Sequence, residues 1–323
     1  MWISEAPSNV ALIKYMGKLK TSKSIMEPCN ISLSYTLHHL WTKVSLEICP
    51  YKDRFINDVG LHQKSIDRFV LHLKQIKNFF QYNGFFLIRS VNNFPHSAGI
   101  ASSSSSFAAL TKCAMSALCD LNGVPLPSAT QMSKISQMSS GASCRSFFSP
   151  WSVWDHTGAK PLSLKINELN HDLILIDRSV KKVSSSEAHT LVKSSPLFRE
   201  RPLRAQQRFN NLVDALNNNR WDDIHGICWE EFMDIHQLFE TSSPSFSYMQ
   251  PKTLSVLEEI RQFYKANNDG PIVTIDAGPN IHLLWRKDQN ELRNDLKKVV
   301  NSKMQNNVFL KNNEKESDKD SLQ

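Results

Sequence analysis

The chain has few glycines, no paired cysteines and no long apolar runs, and each shortage removes a class of protein. Ten glycines and 14 prolines in 323 residues suit a mixed α/β enzyme better than a fibrous or disordered chain. The six cysteines, Cys29, Cys49, Cys113, Cys119, Cys144 and Cys228, form no Cys-x-x-Cys pair and lack the density of a small secreted scaffold. Reduced thiols in a cytoplasmic protein are expected. No apolar run approaches the roughly 20 residues that span a bilayer, and the opening Met-Trp-Ile-Ser-Glu-Ala-Pro lacks a basic segment followed by an apolar one. No membrane role is expected. There is no Gly-Lys-Ser/Thr closing a Walker A loop, no zinc finger, no His-Glu-x-x-His, no Gly-x-Ser-x-Gly elbow and no repeat of solenoid period. The net charge of +7, from 38 basic and 31 acidic residues, would attract either an anionic small molecule or nucleic acid. The cations scatter, however, without a basic helix interleaved with aromatics, so no nucleic-acid partner is expected.

What the chain does have is a hydroxyl-rich stretch, Pro95-His96-Ser97-Ala98-Gly99-Ile100-Ala101 followed by the five serines Ser102 to Ser106. Small hydroxyl and glycine residues let backbone N–H and O–H donors close around an anion, and the following Phe107-Ala108-Ala109-Leu110 begins a helix whose N-terminal dipole favours negative charge at the same place. A polar linker is the plain alternative. Against it, Gly84-Phe85-Phe86-Leu87-Ile88-Arg89 reads as a buried strand upstream, and Phe107, Leu110, Ala114 and Leu118 recur at helical spacing downstream.

Elsewhere, period-two alternation over 31–37 and again at Val44, Leu46 and Ile48 predicts an antiparallel strand pair. Helical spacing predicts helices over 61–83, about 105–119, about 128–138 and from Trp221 to Phe239, where Ile224, Cys228, Phe232 and Ile235 form the apolar stripe; another carries Leu254 and Leu257. Strands are expected at 172–177, 271–275 and from Ile281 to Trp285. Asp276 then stands at the end of a buried strand, before the Gly278-Pro279 turn, a position suited to chemistry. A second hydroxyl-rich turn, Ser139 to Ser146, carries Arg145. The tail 311–323 is charged, with a single apolar residue, and is expected to be disordered.

Six blocks taken in order resemble the diphosphomevalonate decarboxylases, of the small-molecule kinase superfamily that includes galactokinase, homoserine kinase and mevalonate kinase. They are Ala6 to Lys18 (Ala-Pro-Ser-Asn-Val-Ala-Leu-Ile-Lys-Tyr-Met-Gly-Lys), Pro28 to Ser34, Asn92 to Pro95 with the serine loop, Ser140 to Ser146, Ser194 to Phe198, and Asp276-Ala277-Gly278-Pro279-Asn280. The resemblance covers nearly the whole chain. It implies a two-lobed α+β small-molecule kinase fold, with a ribosomal-protein-S5-like N-terminal lobe (1–180) that binds ATP and phosphate and a ferredoxin-like C-terminal lobe (181–310). It also implies ATP-dependent decarboxylation of 5-diphosphomevalonate to isopentenyl diphosphate through 3-O-phosphorylation, with release of ADP, phosphate and carbon dioxide. A homodimer is implied as well.

On this resemblance Asp276 is the base or orienting group for the tertiary 3-hydroxyl, and Lys14 is the cation that holds it ionised. Tyr15, Lys18 and Arg145 match positions that hold the substrate's diphosphate, and Ser140 would add a hydroxyl near the substrate. Ser97, Gly99, Ser102, Ser103 and Ser104 fall in the phosphate loop; the run leaves open which serine reaches the γ-phosphate. Mg²⁺ is implied with the ATP, although no carboxylate cage for it is visible and its ligands are unassigned. The chain departs from the pattern at Met16, in place of Trp, at Leu19-Lys20, in place of Arg-Asp, and at Ala142, in place of a second serine directly before Ser143. Two rivals stand beside this reading. One is an ATP-dependent kinase or decarboxylase acting on mevalonate or a monophosphomevalonate. The other is a nucleotide-binding interaction protein without turnover, which loss of Lys14 or Asp276 would favour; both residues are present.

Overall fold

Apolar alternation near the N-terminus builds two long strands, β1 (Trp2–Ile13) and β4 (Ser32–Cys49), with the short pair β2 (Lys18–Lys20) and β3 (Met26–Pro28) between them. The computed structural model describes residues 1–20, 26–56, 61–94, 102–177, 179, 181–305 and 308–310. The tail 311–323 and most of the loop ahead of the serine run lie outside these. The strand pair expected over 31–37 and 44–48 is one continuous strand of 18 residues. Residues 38–43 (His-His-Leu-Trp-Thr-Lys) contain no Gly, Pro, Asn or Asp to turn the chain. The change of phase is absorbed instead by a register shift against β1 at Pro7/Ser8.

β5 (Arg54–Phe55), α1 (Gln63–Phe79), β6 (Phe85–Asn92), α2 (Ser102–Asn122), α3 (Ala129–Gln137), a 3₁₀ turn (Gly141–Phe147), β7 (Trp151–Asp155) and β8 (Gly158–Leu162) follow. β4 is the spine of a six-stranded sheet: β1 pairs along one edge, and β6 and β7 pair with successive halves of the other. One face of that sheet buries Val44, Leu46, Phe86 and Ile88 against Phe69, Leu73 and Ile76 of α1 and Phe107, Leu110 and Ala114 of α2.

The remaining elements are β9 (Asn170–Ile174), α4 (Ser185–Leu191), α5 (Arg201–Asn217), α6 (Trp221–Glu240), α7 (Pro251–Asn267), β10 (Ile272–Ile275), β11 (Ile281–Trp285) and α8 (Asn290–Met304). β9 joins the second, antiparallel sheet, ordered β10-β11-β9. Residues of both sheets meet in one core: Val10, Leu12 and Leu33 pack with Leu212 and Leu216 of α5, Ile224 and Cys228 of α6, Ile272 and Leu284. The ends of β1 and β10 are thereby held in fixed relation. All six cysteines are free thiols, and among the described residues no helix is long and apolar enough to cross a membrane.

The serine run belongs to α2 rather than to a loop. Ser104 and Ser105 are fully buried, and Ser105 Oγ lies 2.7 Å from Thr42 Oγ1 on β4. Together with Ala108 and Ala109, both fully buried, they provide small side chains where α2 lies against β1 and β4. The hydroxyls keep partners within the protein, as buried polar groups require.

Candidate active site

Lys14 follows the last residue of β1 and Asp276 follows the last residue of β10. The two are 262 positions apart in sequence, yet Lys14 Nζ donates to Asp276 Oδ1 at 2.5 Å. The ammonium also donates to the Ala11 carbonyl at 2.9 Å, and Lys14 is only 5% exposed. Its peptide is gripped from both sides. The Lys14 N–H donates to Glu231 Oε1 at 2.9 Å, while its carbonyl accepts from Arg201 Nη2 at 2.7 Å and from Asn30 Nδ2 at 2.9 Å. The turn after β10 is pinned as well, since Asn280 Oδ1 accepts from the Ile176 and Asp177 amides. Burial alone would raise the Asp276 carboxyl, but the charge of Lys14, the neighbouring His282, the Lys14 hydrogen bond and Arg145 together hold it below the usual carboxylate range. Asp276 is therefore an ionised carboxylate at neutral pH.

This pair stands in a cavity of about 320 Å³ that is also lined by Lys18, Arg68, Arg145 and Lys181. Five cations around one carboxylate make a receptor for anions of high charge. Burial, with some repulsion from Arg68, pushes Lys18 down to about 8. Arg145 is 4% exposed; its Nη1 donates to Ser32 Oγ at 3.2 Å, and its guanidinium carbon lies 5.5 Å from the Tyr15 ring centroid. Tyr15 is wedged between Trp154, edge-on at 4.6 Å, and His189, stacked at 4.6 Å; burial pushes its phenol up to about 12, so it is a neutral donor. Ser140 precedes the 3₁₀ turn and is 7% exposed. Gly141 is required there, because a Cβ would stand 2.7 Å from the Trp154 ring and 3.2 Å from Tyr15 Oη.

Of the residues singled out in the sequence, Lys14, Tyr15, Lys18, Ser103, Ser140, Arg145 and Asp276 line this one cavity. Ser104 does not; it is sealed in α2. Ser97, Gly99 and the side chain of Ser102 lie outside the described residues. Ala142 lines the cavity, and Ser143 does not supply the hydroxyl missing there: it is fully buried and its Oγ is engaged by Ser136 and the Ser140 carbonyl. Sequence reasoning missed Arg68, Lys181, Ser184 to Ser186 and His189, all of which line the cavity. Arg68 sits on the polar face of an amphipathic helix and carries no motif. Lys181 to Ser186, two lysines and a serine run within six residues, was a legible signal of the same kind as the first serine run.

The donor set fits phosphate groups, with Ser103 close to the start of α2 and cations opposite. Among the described residues no three His, Cys, Asp or Glu side chains converge as a metal cage. A divalent cation fits only where phosphate oxygens and water supply most of its ligands.

Comparison with known proteins gives concordant matches. A family model described as diphosphomevalonate decarboxylase-like N-terminal domain matches residues 6–164, and one described as mevalonate 5-diphosphate decarboxylase C-terminal domain matches 173–323. The diphosphomevalonate decarboxylase of Saccharomyces cerevisiae is 30% identical over 314 residues, covering 87% of this chain and 76% of its own. The solved mevalonate diphosphate decarboxylase of Legionella pneumophila is 45% identical, covers 92% of this chain and 96% of its own, and superposes with a TM-score of 0.86. A solved protein designated MDDEF, in complex with MVAPP, AMPPCP and magnesium, is 26% identical with a TM-score of 0.85, covering 96% of this chain and 95% of its own.

Proposed function

The chain belongs to the diphosphomevalonate decarboxylase family, and from that premise we infer that it converts 5-diphosphomevalonate and ATP to isopentenyl diphosphate, ADP, phosphate and carbon dioxide. Its fold is the family's two-lobed α+β small-molecule kinase fold. The observation that carries the reading is the Lys14–Asp276 pair standing in the cation-lined cavity.

The two lobes contribute unequally. Residues 1–180 supply Lys14, the diphosphate ligands and the start of α2; residues 181–310 supply Asp276. Tyr15, Lys18 and Arg145 hold the diphosphate end of the substrate, the arginine as a planar fork and the lysine as a point charge, and Ser140 adds a hydroxyl beside the substrate. Ser103, with Ser97, Gly99 and Ser102 nearby in sequence, holds the phosphates of ATP. Asp276, kept ionised by Lys14, orients the 3-hydroxyl and takes its proton as the γ-phosphoryl group transfers. Once that proton has passed on to the phosphoryl group, the carboxylate, ionised again, faces C3 as phosphate leaves, where it stabilises the developing positive charge while the substrate carboxylate departs as carbon dioxide. Mg²⁺ carried on the nucleotide supplies neutralisation of phosphate charge. A homodimer in the cytoplasm completes the reading, on the strength of the family resemblance and the unpaired cysteines.

The test supplies purified protein with Mg-ATP and, separately, mevalonate, 5-phosphomevalonate or 5-diphosphomevalonate, following ADP, phosphate and carbon dioxide. Carbon dioxide from the diphosphate alone is the expected result, and ADP without carbon dioxide would replace the reading by a kinase. Asp276→Asn is expected to abolish carbon dioxide release and to leave ATP binding within a few-fold; surviving turnover would remove Asp276 from its role.

A further inference from the structure

His189 belongs to none of the sequence motifs, yet α4 brings it to the cavity wall, 7% exposed and stacked on Tyr15 with ring centroids 4.6 Å apart. The backbone N–H of Gly17 donates to its Nδ1 at 3.1 Å. An amide N–H can only donate, so Nδ1 is the unprotonated nitrogen and the ring proton resides on Nε2. Nε2 has no protein partner among the described residues and is not one of the polar atoms sealed from solvent. The ring stays neutral: burial, then the charges of Lys18 and Arg145, push it down to about 3.

We propose that His189 is a substrate-binding residue, donating its Nε2–H to a phosphoryl oxygen of the substrate's diphosphate beside Lys18 and Arg145. The proposal rests on reading this cavity as the diphosphate site. The chemistry is specific. Lys18 and Arg145 balance the charge of the anion, while a neutral imidazole adds a directed hydrogen bond without adding repulsion to the cations around it. Because Nδ1 is tied to the Gly17 amide, the donor is set by the loop that also carries Lys14, Tyr15 and Lys18. Its orientation is fixed before substrate arrives.

Two near-isosteric variants separate the donor from the Gly17 contact. His189→Asn keeps an acceptor where Nδ1 stands and removes the Nε2 donor; His189→Gln keeps a donor near Nε2 and removes the acceptor. Calorimetric titration of the full chain with inorganic pyrophosphate is the primary readout, and KM for 5-diphosphomevalonate the second. His189→Asn is expected to weaken pyrophosphate binding by about tenfold or more, the worth of one hydrogen bond to a charged group, and to raise KM in parallel. His189→Gln is expected to stay within about threefold of the parent. Unchanged pyrophosphate binding in His189→Asn would overturn the proposal. So would equal weakening in both variants, which would reduce His189 to a support for Gly17. The pyrophosphate titration needs no turnover, so failure of the decarboxylase reading would show separately, as absent carbon dioxide from the parent protein.

Discussion

Replacing Arg201 by methionine tests how Lys14 is held in the cavity. Arg201 and Glu231 are both fully buried and paired, and Arg201 Nη1 also reaches Asp234 Oδ2 at 2.8 Å. Methionine matches the length of the arginine stem but leaves two carboxylates without their innermost cation. Removing one partner of a buried ion pair costs about 3–5 kcal/mol, because the remaining charge is uncompensated. Here the cost falls at the low end, about 3 kcal/mol. Arg208 still touches Glu231 at 3.2 Å and Asp234 at 2.8 Å, and Arg204 still donates to Asp234 Oδ1 from both Nε and Nη2. The Lys14 carbonyl loses its donor from Arg201 and keeps only that from Asn30. Turnover per folded molecule is therefore expected to fall by roughly tenfold or more, since sub-ångström displacement of a reacting group is costly. The assay is urea unfolding of the parent, Arg201→Met, Glu231→Gln and the double variant, with saturated turnover of each folded sample. In the double variant the neutral amide leaves less buried charge unpaired while still accepting from the Lys14 N–H, so it should recover more than 1 kcal/mol of the single variant's loss, roughly the scale on which neighbouring mutations couple. A loss below 1 kcal/mol in Arg201→Met, with a double variant no better than the single, would refute the reasoning.

The remaining predictions concern pH. Lys18, pushed down to about 8 by burial and then by Arg68, binds an anion only as the ammonium. The kcat/KM for 5-diphosphomevalonate should thus fall above pH 8, by about tenfold for each further unit, and Lys18→Arg should remove that fall; an unaltered fall would assign it to another group. A second pH effect lies on the acid side. Buried His72, His171, His189, His236 and His282 are all driven by desolvation first to values well below their normal range, with His72 and His282 at about 4 and His189 and His236 at about 3. The unfolded chain takes up protons at each below about 6.5, so this stability is fully present above that pH and is lost as pH falls towards the folded values, at about 1.4 kcal/mol per group per unit. Loss of circular dichroism signal with a midpoint above pH 5 is expected, and a fold intact at pH 4 would contradict neutral buried imidazoles.

How much of this was legible in the sequence depends on where the information lay. Lys14 and Asp276 stand in loops immediately after buried strands, where a reactive side chain has no packing duty, and their motifs read plainly. The serine run read as a cradle because composition reports polarity and not burial. Ser104 and Ser105 are polar atoms spent on close packing, with Thr42 as one partner from another strand, and nothing local distinguishes that use from anion binding. The long β4 was read as two strands because its change of phase looks like a turn until the missing turn residues are noticed. Glu231 was missed for a different reason. It lies three positions after Cys228 and four before Ile235, on the apolar stripe of α6, where its partner Arg201, 30 positions away, cannot be inferred from periodicity. A charge on an apolar stripe is itself a signal, however, since a carboxylate cannot be buried without a cation and hydrogen-bond donors. Here those donors are Arg201, Arg208 and the peptide N–H of Lys14. The misplaced charge thus marked a support of the Lys14 peptide more than 200 positions away, so that Lys14 was marked in the sequence by its motif and its support by a violation of helical pattern.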